Sequence, residues 1–139
     1  MITISKDDLN VIKGHVKKAY PYECCGLLIG KEKDGNKEVV ETCLLTNLNK
    51  ERANDRYEVD PKEYMKFDQE AGKKKLSIIG IYHSHPDHPS RPSEFDASRA
   101  WEGYSYMIIA IANGSEFEIK SWVFNESEKI FNEEEIKNG

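Results

Sequence analysis

Two histidines and a carboxylate lie close together in the stretch GIYHSHPDHPSRPSEFD, which runs from Gly80 to Asp96. His83 and His85 are two positions apart at the end of an apolar run, Leu76 to Tyr82. If that run is a strand, alternate side chains project from one face and the two imidazoles point the same way. Paired like this they form a bidentate arm for a borderline metal such as zinc. A catalytic zinc takes a third protein ligand and keeps one position for water. Asp96 is the candidate, eleven residues beyond His85 and in the first turn of a helix that opens at Ser93. Pro86, Pro89 and Pro92 lie between them and lower the entropy of holding the loop in one shape. Ser93 and Asp96 also match a helix capping box, serine at N-cap and an acid at N3. The two readings are compatible, because a cap can hold the turn that presents a ligand.

The elements that must position these residues follow from periodicity and punctuation. Residues 5–20 read as an amphipathic helix, with Ser5 and Asp8 as a capping-box pattern and Leu9, Ile12, Val16 and Ala19 along one stripe. Tyr20-Pro21 ends it. CGLLIG (25–30) and KEVVETCLL (37–45) are strands joined by a turn at Asp34-Gly35. A polar loop, 46–56, follows, then a short strand in YEVD and a second helix with Asp60 at N-cap, Pro61 at N1 and Glu63 at N3. LSIIGIYHSH is nearly all apolar, as expected of a strand covered on both faces. A third helix opens at Ser93, and YSYMIIAI (104–111) and EFEIKSWVF (116–124) form a further strand pair. The tail from about 125 is acidic and weakly patterned. The expectation is one α/β domain spanning 1–139, with helices on a central sheet.

Composition narrows the function classes. The 139 residues carry a net charge of −5 with 38% apolar and 32% charged positions, which fits a soluble globular domain. No basic stripe points to nucleic acid, no run is long enough to span a membrane, and MITISKDDLN lacks a targeting pattern, so a cytoplasmic location is expected. Three cysteines do not make a disulfide framework. They read as small buried residues kept reduced, although a 24–30/37–45 hairpin would set Cys24 or Cys25 opposite Cys43 and make a cross-strand disulfide conceivable.

His83-Ser84-His85, a seven-residue gap that begins with Pro86, and Ser93-Glu94-Phe95-Asp96 resemble the H-[ST]-H-x7-S-x-x-D signature of the JAMM (MPN+) zinc metalloproteases. YPYECCGLLIG is similar to the family's P-x-E-x-C-G-L-L-x-G segment, and YEVDPKEY to a stretch of its short prokaryotic members. The resemblance implies a single MPN-type, cytidine-deaminase-like domain with a mixed central sheet flanked by helices. It implies one zinc ion per chain on His83, His85 and Asp96, with a zinc-bound water as nucleophile. Glu23 would be the general base and acid, and Ser93 would donate a hydrogen bond to the oxyanion. The reaction implied is hydrolysis of the amide bond after the C-terminal Gly-Gly of a ubiquitin-like modifier or sulfur-carrier protein. A glycine tail suits a narrow cleft entered as an added strand, and loop 46–56 is a candidate docking edge.

Other residues read more plainly. Ser84 lies on the opposite strand face as a structural hydrogen-bonder. His88, Asp87 and Glu94 are loop residues outside the metal set, and Tyr57, Trp101 and Trp122 are core or groove aromatics. Asn47, Arg56 and Asp60 are candidates for substrate contact. A deaminase would need a Cys-x-x-Cys ligand pair, which Cys24-Cys25 does not supply. A non-catalytic binding module for a ubiquitin-like protein, or a zinc amidohydrolase of small amides, are the alternative functions.

Overall fold

The computed structural model describes residues 1–139. Its elements are β1 (Ile2–Ile4), α1 (Lys6–Ala19), β2 (Cys25–Lys33), β3 (Asn36–Leu45), α2 (Pro61–Lys73), β4 (Ser77–Pro86), α3 (Glu94–Arg99), β5 (Ser105–Ala112), β6 (Glu116–Asn125), β7 (Ile130–Glu134) and β8 (Ile136–Asn138). The N-caps of α1 and α2 fall where the sequence indicates, although the Ser5–Asp8 box forms only its Ser5 half. Ser5 accepts from the Asp8 N–H, and Asp60 accepts from the Lys62 N–H with Pro61 opening α2. The short strand expected in YEVD is only an isolated bridge between Asn47 and Val59.

The mixed sheet has the order β7-β6-β5-β4-β2-β3-β1-β8, with β4 parallel to β5 and antiparallel to β2. Alternation along each strand divides the core into two layers. Leu28, Tyr82, Met107 and Ile109 pack with Ile12 and Val16 of α1, whereas Leu27, Ile81, Tyr106 and Phe124 pack on the side of α2. Each such aliphatic side chain taken out of water contributes roughly 1.5–3 kcal/mol. His83 and His85 continue the Ile81 side, and Ser84 continues the Tyr82 side. A Cβ on Gly26 would stand 2.1 Å from the Tyr82 ring, so that ring fits only because position 26 is glycine.

The acidic tail is not loosely patterned, as the sequence suggested. It forms β7 and β8, separated only by Glu135. β7 pairs with β6 and β8 pairs in parallel with β1, so one nearly continuous strand joins the two ends of the strand order and closes the sheet on itself. Phe131 in β7 packs edge-on against Tyr106 and Phe124.

No disulfide forms. The register sets Cys25 opposite Leu45 and Cys43 opposite Leu27, which leaves the two cysteines diagonal rather than paired, and all three thiols are free. Burial pushes the Cys24 thiol up to about 11 and the Cys25 thiol higher still, so both stay protonated and inert.

Because Phe131 carries the apolar contact of β7, as Ile136 does for β8, Phe131→Ala is expected to destabilise the domain by about 3 kcal/mol, the lower end of the Phe→Ala range. Urea unfolding measures this. A change within experimental error would mean that the closing strand contributes little to the fold.

Candidate metal centre

Residues His83 and His85 leave β4 on one face, and α3 delivers Asp96 to the same point. The His83 and His85 Nε2 atoms are 3.1 Å apart, and Asp96 Oδ2 lies 3.3 Å from the first and 3.2 Å from the second. All three residues are buried. A tetrahedral zinc with ligands at about 2.0–2.1 Å sets neighbouring ligand atoms roughly 3.3 Å apart. The triangle has the dimensions of three corners of such a tetrahedron, so these residues fit the ion.

Proton placement also fits. The carbonyl of Pro89 lies 2.8 Å from His85 Nδ1 and can only accept, so Nδ1 carries the hydrogen and Nε2 faces the cluster. His83 Nδ1 is buried without a partner, and the Tyr57 ring stacks on the imidazole at 4.5 Å between centroids. Burial drives the His83 pKa down. Burial would do the same to His85, but the Asp96 carboxylate and the Pro89 carbonyl outweigh it and raise that group. Burial alone would raise Asp96 too. The facing histidines and the Ser93 N–H reverse this and hold the carboxyl far below its usual range, ionised and ready to ligate.

The capping box forms in full. The Asp96 N–H donates to Ser93 Oγ at 3.1 Å, and the Ser93 N–H donates to Asp96 Oδ2 at 2.9 Å. Ser93 Oγ therefore acts as an acceptor here, its own hydrogen is free, and the residue is exposed on the cleft. One carboxylate oxygen thus serves both the cap and the cluster.

Glu23 sits just before β2 and is only 5% exposed, with Oε1 lacking any partner. Burial, opposed by His85 and reinforced by Asp96, pushes its carboxyl up to about 8. Its backbone is fixed by loop 46–56. Glu23 N–H donates to the Ala53 carbonyl, and Asn47 Nδ2 donates to the Glu23 carbonyl at 3.1 Å. Asn47 also donates to the Arg56 carbonyl and accepts from the Asn49 and Glu58 N–H groups. Its amide is saturated by backbone, so Asn47 staples the loop and is not a substrate contact. Asp60 is likewise occupied as the α2 cap. Arg56 does reach the cleft, with its guanidinium 4.4 Å over the Phe95 ring.

Several supports were invisible in the local sequence. Trp122 is no groove aromatic: its Nε1–H donates to the Ser90 carbonyl at 3.0 Å, and buried Ser90 donates to Glu118. This clamp holds Pro89, whose carbonyl orients His85. Asp87 accepts from the Tyr20 hydroxyl and the Asn113 N–H, pinning the start of the loop. Ser84 accepts from the Cys24 N–H at 3.0 Å, as its strand face indicated, and His88 is exposed. Trp101 is 59% exposed and lines a largely apolar groove of about 490 Å³ with Tyr57, Tyr64, Met65 and Phe95.

With this fold and this arrangement of side chains, a peptidase of the JAMM type is the class in view. Residues 5–125 match the family model described as prokaryotic homologs of the JAB domain, and the chain belongs to that prokaryotic branch of the JAMM/MPN family. It is similar to the desampylase of Pyrococcus furiosus, 31% identical over 110 residues that span 78% of this chain and 71% of the relative. It is also similar to the CysO-cysteine peptidase of Mycobacterium tuberculosis, 27% identical over 123 residues, covering 88% of this chain and 82% of the relative. Among solved structures, a Desulfitobacterium hafniense protein determined in solution superposes with a TM-score of 0.89 at 31% identity, covering 100% of this chain and 93% of that one. No helix is long and apolar enough to cross a membrane.

Two outcomes are expected at the bench. Removing the Ser90–Glu118 arm of the clamp with Ser90→Ala loosens the His85 acceptor and lowers zinc affinity about tenfold, the low end for outer supports of a ligand. Competition against a chromophoric chelator reads this, and unchanged affinity would dismiss that arm as a support of His85. The second concerns pH. A folded Glu23 pKa of about 8 lies above its ordinary 4.5, so the folded metal-free protein holds a proton that the unfolded chain has released. That contribution is complete below 4.5 and is lost as pH rises through about 8. Glu23→Gln metal-free protein is therefore expected to gain stability relative to the parent across this window. A constant difference between the two melting curves would show that Glu23 titrates normally.

Proposed function

We propose that the protein is a zinc-dependent metallopeptidase that hydrolyses the amide bond after the C-terminal Gly-Gly of a ubiquitin-like or sulfur-carrier protein. The observation that carries this reading is the buried triangle of His83 Nε2, His85 Nε2 and Asp96 Oδ2, spaced as zinc ligands, with the unpartnered Glu23 carboxyl oxygen in the cleft that His85 also lines. Relatives named desampylase and CysO-cysteine peptidase support the substrate class.

His83, His85 and Asp96 would hold the ion. When bound, zinc supplies a Lewis acid and lowers the pKa of a coordinated water from 15.7 to about 7. Glu23 takes the proton from the attacking water and delivers it to the departing nitrogen. The carboxyl is buried and its Oε1 has no partner in the protein, so it is free to exchange a proton with a bound water or a departing nitrogen. The Ser93 hydroxyl, whose lone pair serves the Asp96 N–H, donates its hydrogen to the carbonyl oxygen as charge develops there. A tail without side chains lets the scissile carbonyl reach a centre this buried.

The test is cleavage of Gly-Gly-tailed carrier fusions, followed by mass spectrometry. Glu23→Gln is expected to retain one zinc per chain yet abolish turnover, and Ser93→Ala to lower kcat on the order of 10²–10³. Full activity in Glu23→Gln would overturn the assignment of the proton carrier.

A further inference from the structure

Two of the three side chains in the cluster are anchored by polar partners. His85 Nδ1 faces the Pro89 carbonyl at 2.8 Å, and Asp96 Oδ2 accepts from the Ser93 N–H at 2.9 Å. His83 is the exception, because its Nδ1 is buried and has no partner in the protein. A ligating histidine normally owes its ring plane to a hydrogen bond at the second nitrogen, since the torsion that turns the ring is soft. Some other contact must therefore set the plane of His83.

Tyr57 is placed to do this. Its ring lies over the imidazole with centroids 4.5 Å apart and planes inclined by only 25°. Every other aromatic pair in the protein, His83–His85 included, meets edge-on. Turning the imidazole about its ring torsion would drive its edge into the phenol face, so the stack restrains the plane as a hydrogen bond would. The contact also suits a metal ligand. An imidazole that shares a lone pair with a cation gains positive character, and the face of a phenol ring is negative. The tyrosine is itself held firmly. Asn47 donates to the Arg56 carbonyl at 3.0 Å and accepts from the Glu58 N–H at 2.9 Å, so one amide grips the backbone on both sides of Tyr57. The Leu48 N–H adds a bond to the Glu58 carbonyl, and the Tyr57 ring packs against the α2-side layer of the core. Other groove tyrosines are engaged elsewhere. Tyr64 bonds the Tyr104 hydroxyl and meets Trp101 edge-on, and Tyr106 accepts from the Trp101 N–H. None of these pairings involves His83, His85 or Asp96.

We propose that Tyr57 is a positioning residue of the metal centre. Its ring, held by Asn47, fixes the His83 plane in place of the Nδ1 hydrogen bond that this histidine lacks, and so aims Nε2 at the ion. This inference rests on the zinc reading above and is independent of which carrier is cleaved.

The test compares zinc affinity, and the visible spectrum of the cobalt-substituted protein, in Tyr57→Phe, Tyr57→Leu and a control from the same groove, Tyr64→Leu. Tyr57→Phe keeps the ring and is expected to hold zinc within about twofold of the parent, with the parent cobalt bands. Tyr57→Leu is expected to lose about tenfold in zinc affinity and to shift the cobalt bands, because the His83 plane is released. Tyr64→Leu is expected to lower the urea midpoint and leave the cobalt bands unchanged, which separates positioning from packing. NMR of the zinc-loaded parent, which needs no variant, is expected to show the His83 ring protons moved upfield by the Tyr57 ring current. Parent affinity and bands in Tyr57→Leu would overturn the proposal. So would equal losses in Tyr57→Phe, the same band shift in Tyr64→Leu, or His83 protons at their ordinary positions. A parent that binds neither zinc nor cobalt would instead overturn the metal reading beneath it.

Discussion

Two imidazole nitrogens and one carboxylate oxygen crowd within 3.3 Å of each other in a buried place, and the rest of the site depends on how that crowding is resolved. Both nitrogens are poor neighbours without a proton or a cation between them. Burial presses His83 toward neutrality while Asp96 draws His85 the other way, so no single protonation state suits all three groups. A divalent cation removes the conflict by meeting every lone pair at once. The fold accepts this unfavourable meeting because the ligands come from rigid places, two from the middle of a closed sheet and one from a capped helical turn.

Each neighbouring device maintains that meeting. Parallel pairing of β4 with β5 sets the two histidines beside Ile108 and Ala110 in the sheet interior, away from any fraying edge. The loop from Asp87 to Ser93 is tied at three points, by Tyr20 and Asn113 at its start, by Trp122 and Glu118 in the middle, and by the capping box at its end. Asn47 gathers loop 46–56 onto the Glu23 backbone, so the Glu23 carboxyl stands on a fixed support. The closed sheet supplies the stiffness behind all of these.

The cluster of His83, His85 and Asp96 was legible because two of its members share a strand period and the third shares a cap signature, and both signals are local. Glu23 was legible only through its family segment, since an acid beside a strand has no pattern of its own. What escaped the sequence is long-range. Trp122 lies far along the chain from Ser90, and only the β5–β6 pairing brings it to the loop. β1 and β8 are three residues each, too short to show a period, and they form because each completes the other's hydrogen bonds at the seam of the sheet. The cysteine pairing failed on register, where a two-residue offset between β2 and β3 moves Cys43 from Cys25 to Leu27. Asn47 and Asp60 looked like substrate contacts because polar loop residues carry no mark of being spent on backbone.

The most direct test of the metal centre is anomalous scattering from crystals of zinc-loaded protein at the zinc edge. One peak is expected per chain, about 2.0–2.2 Å from His83 Nε2, His85 Nε2 and Asp96 Oδ2. No peak there, or a peak held by other residues, would contradict a catalytic zinc at this site.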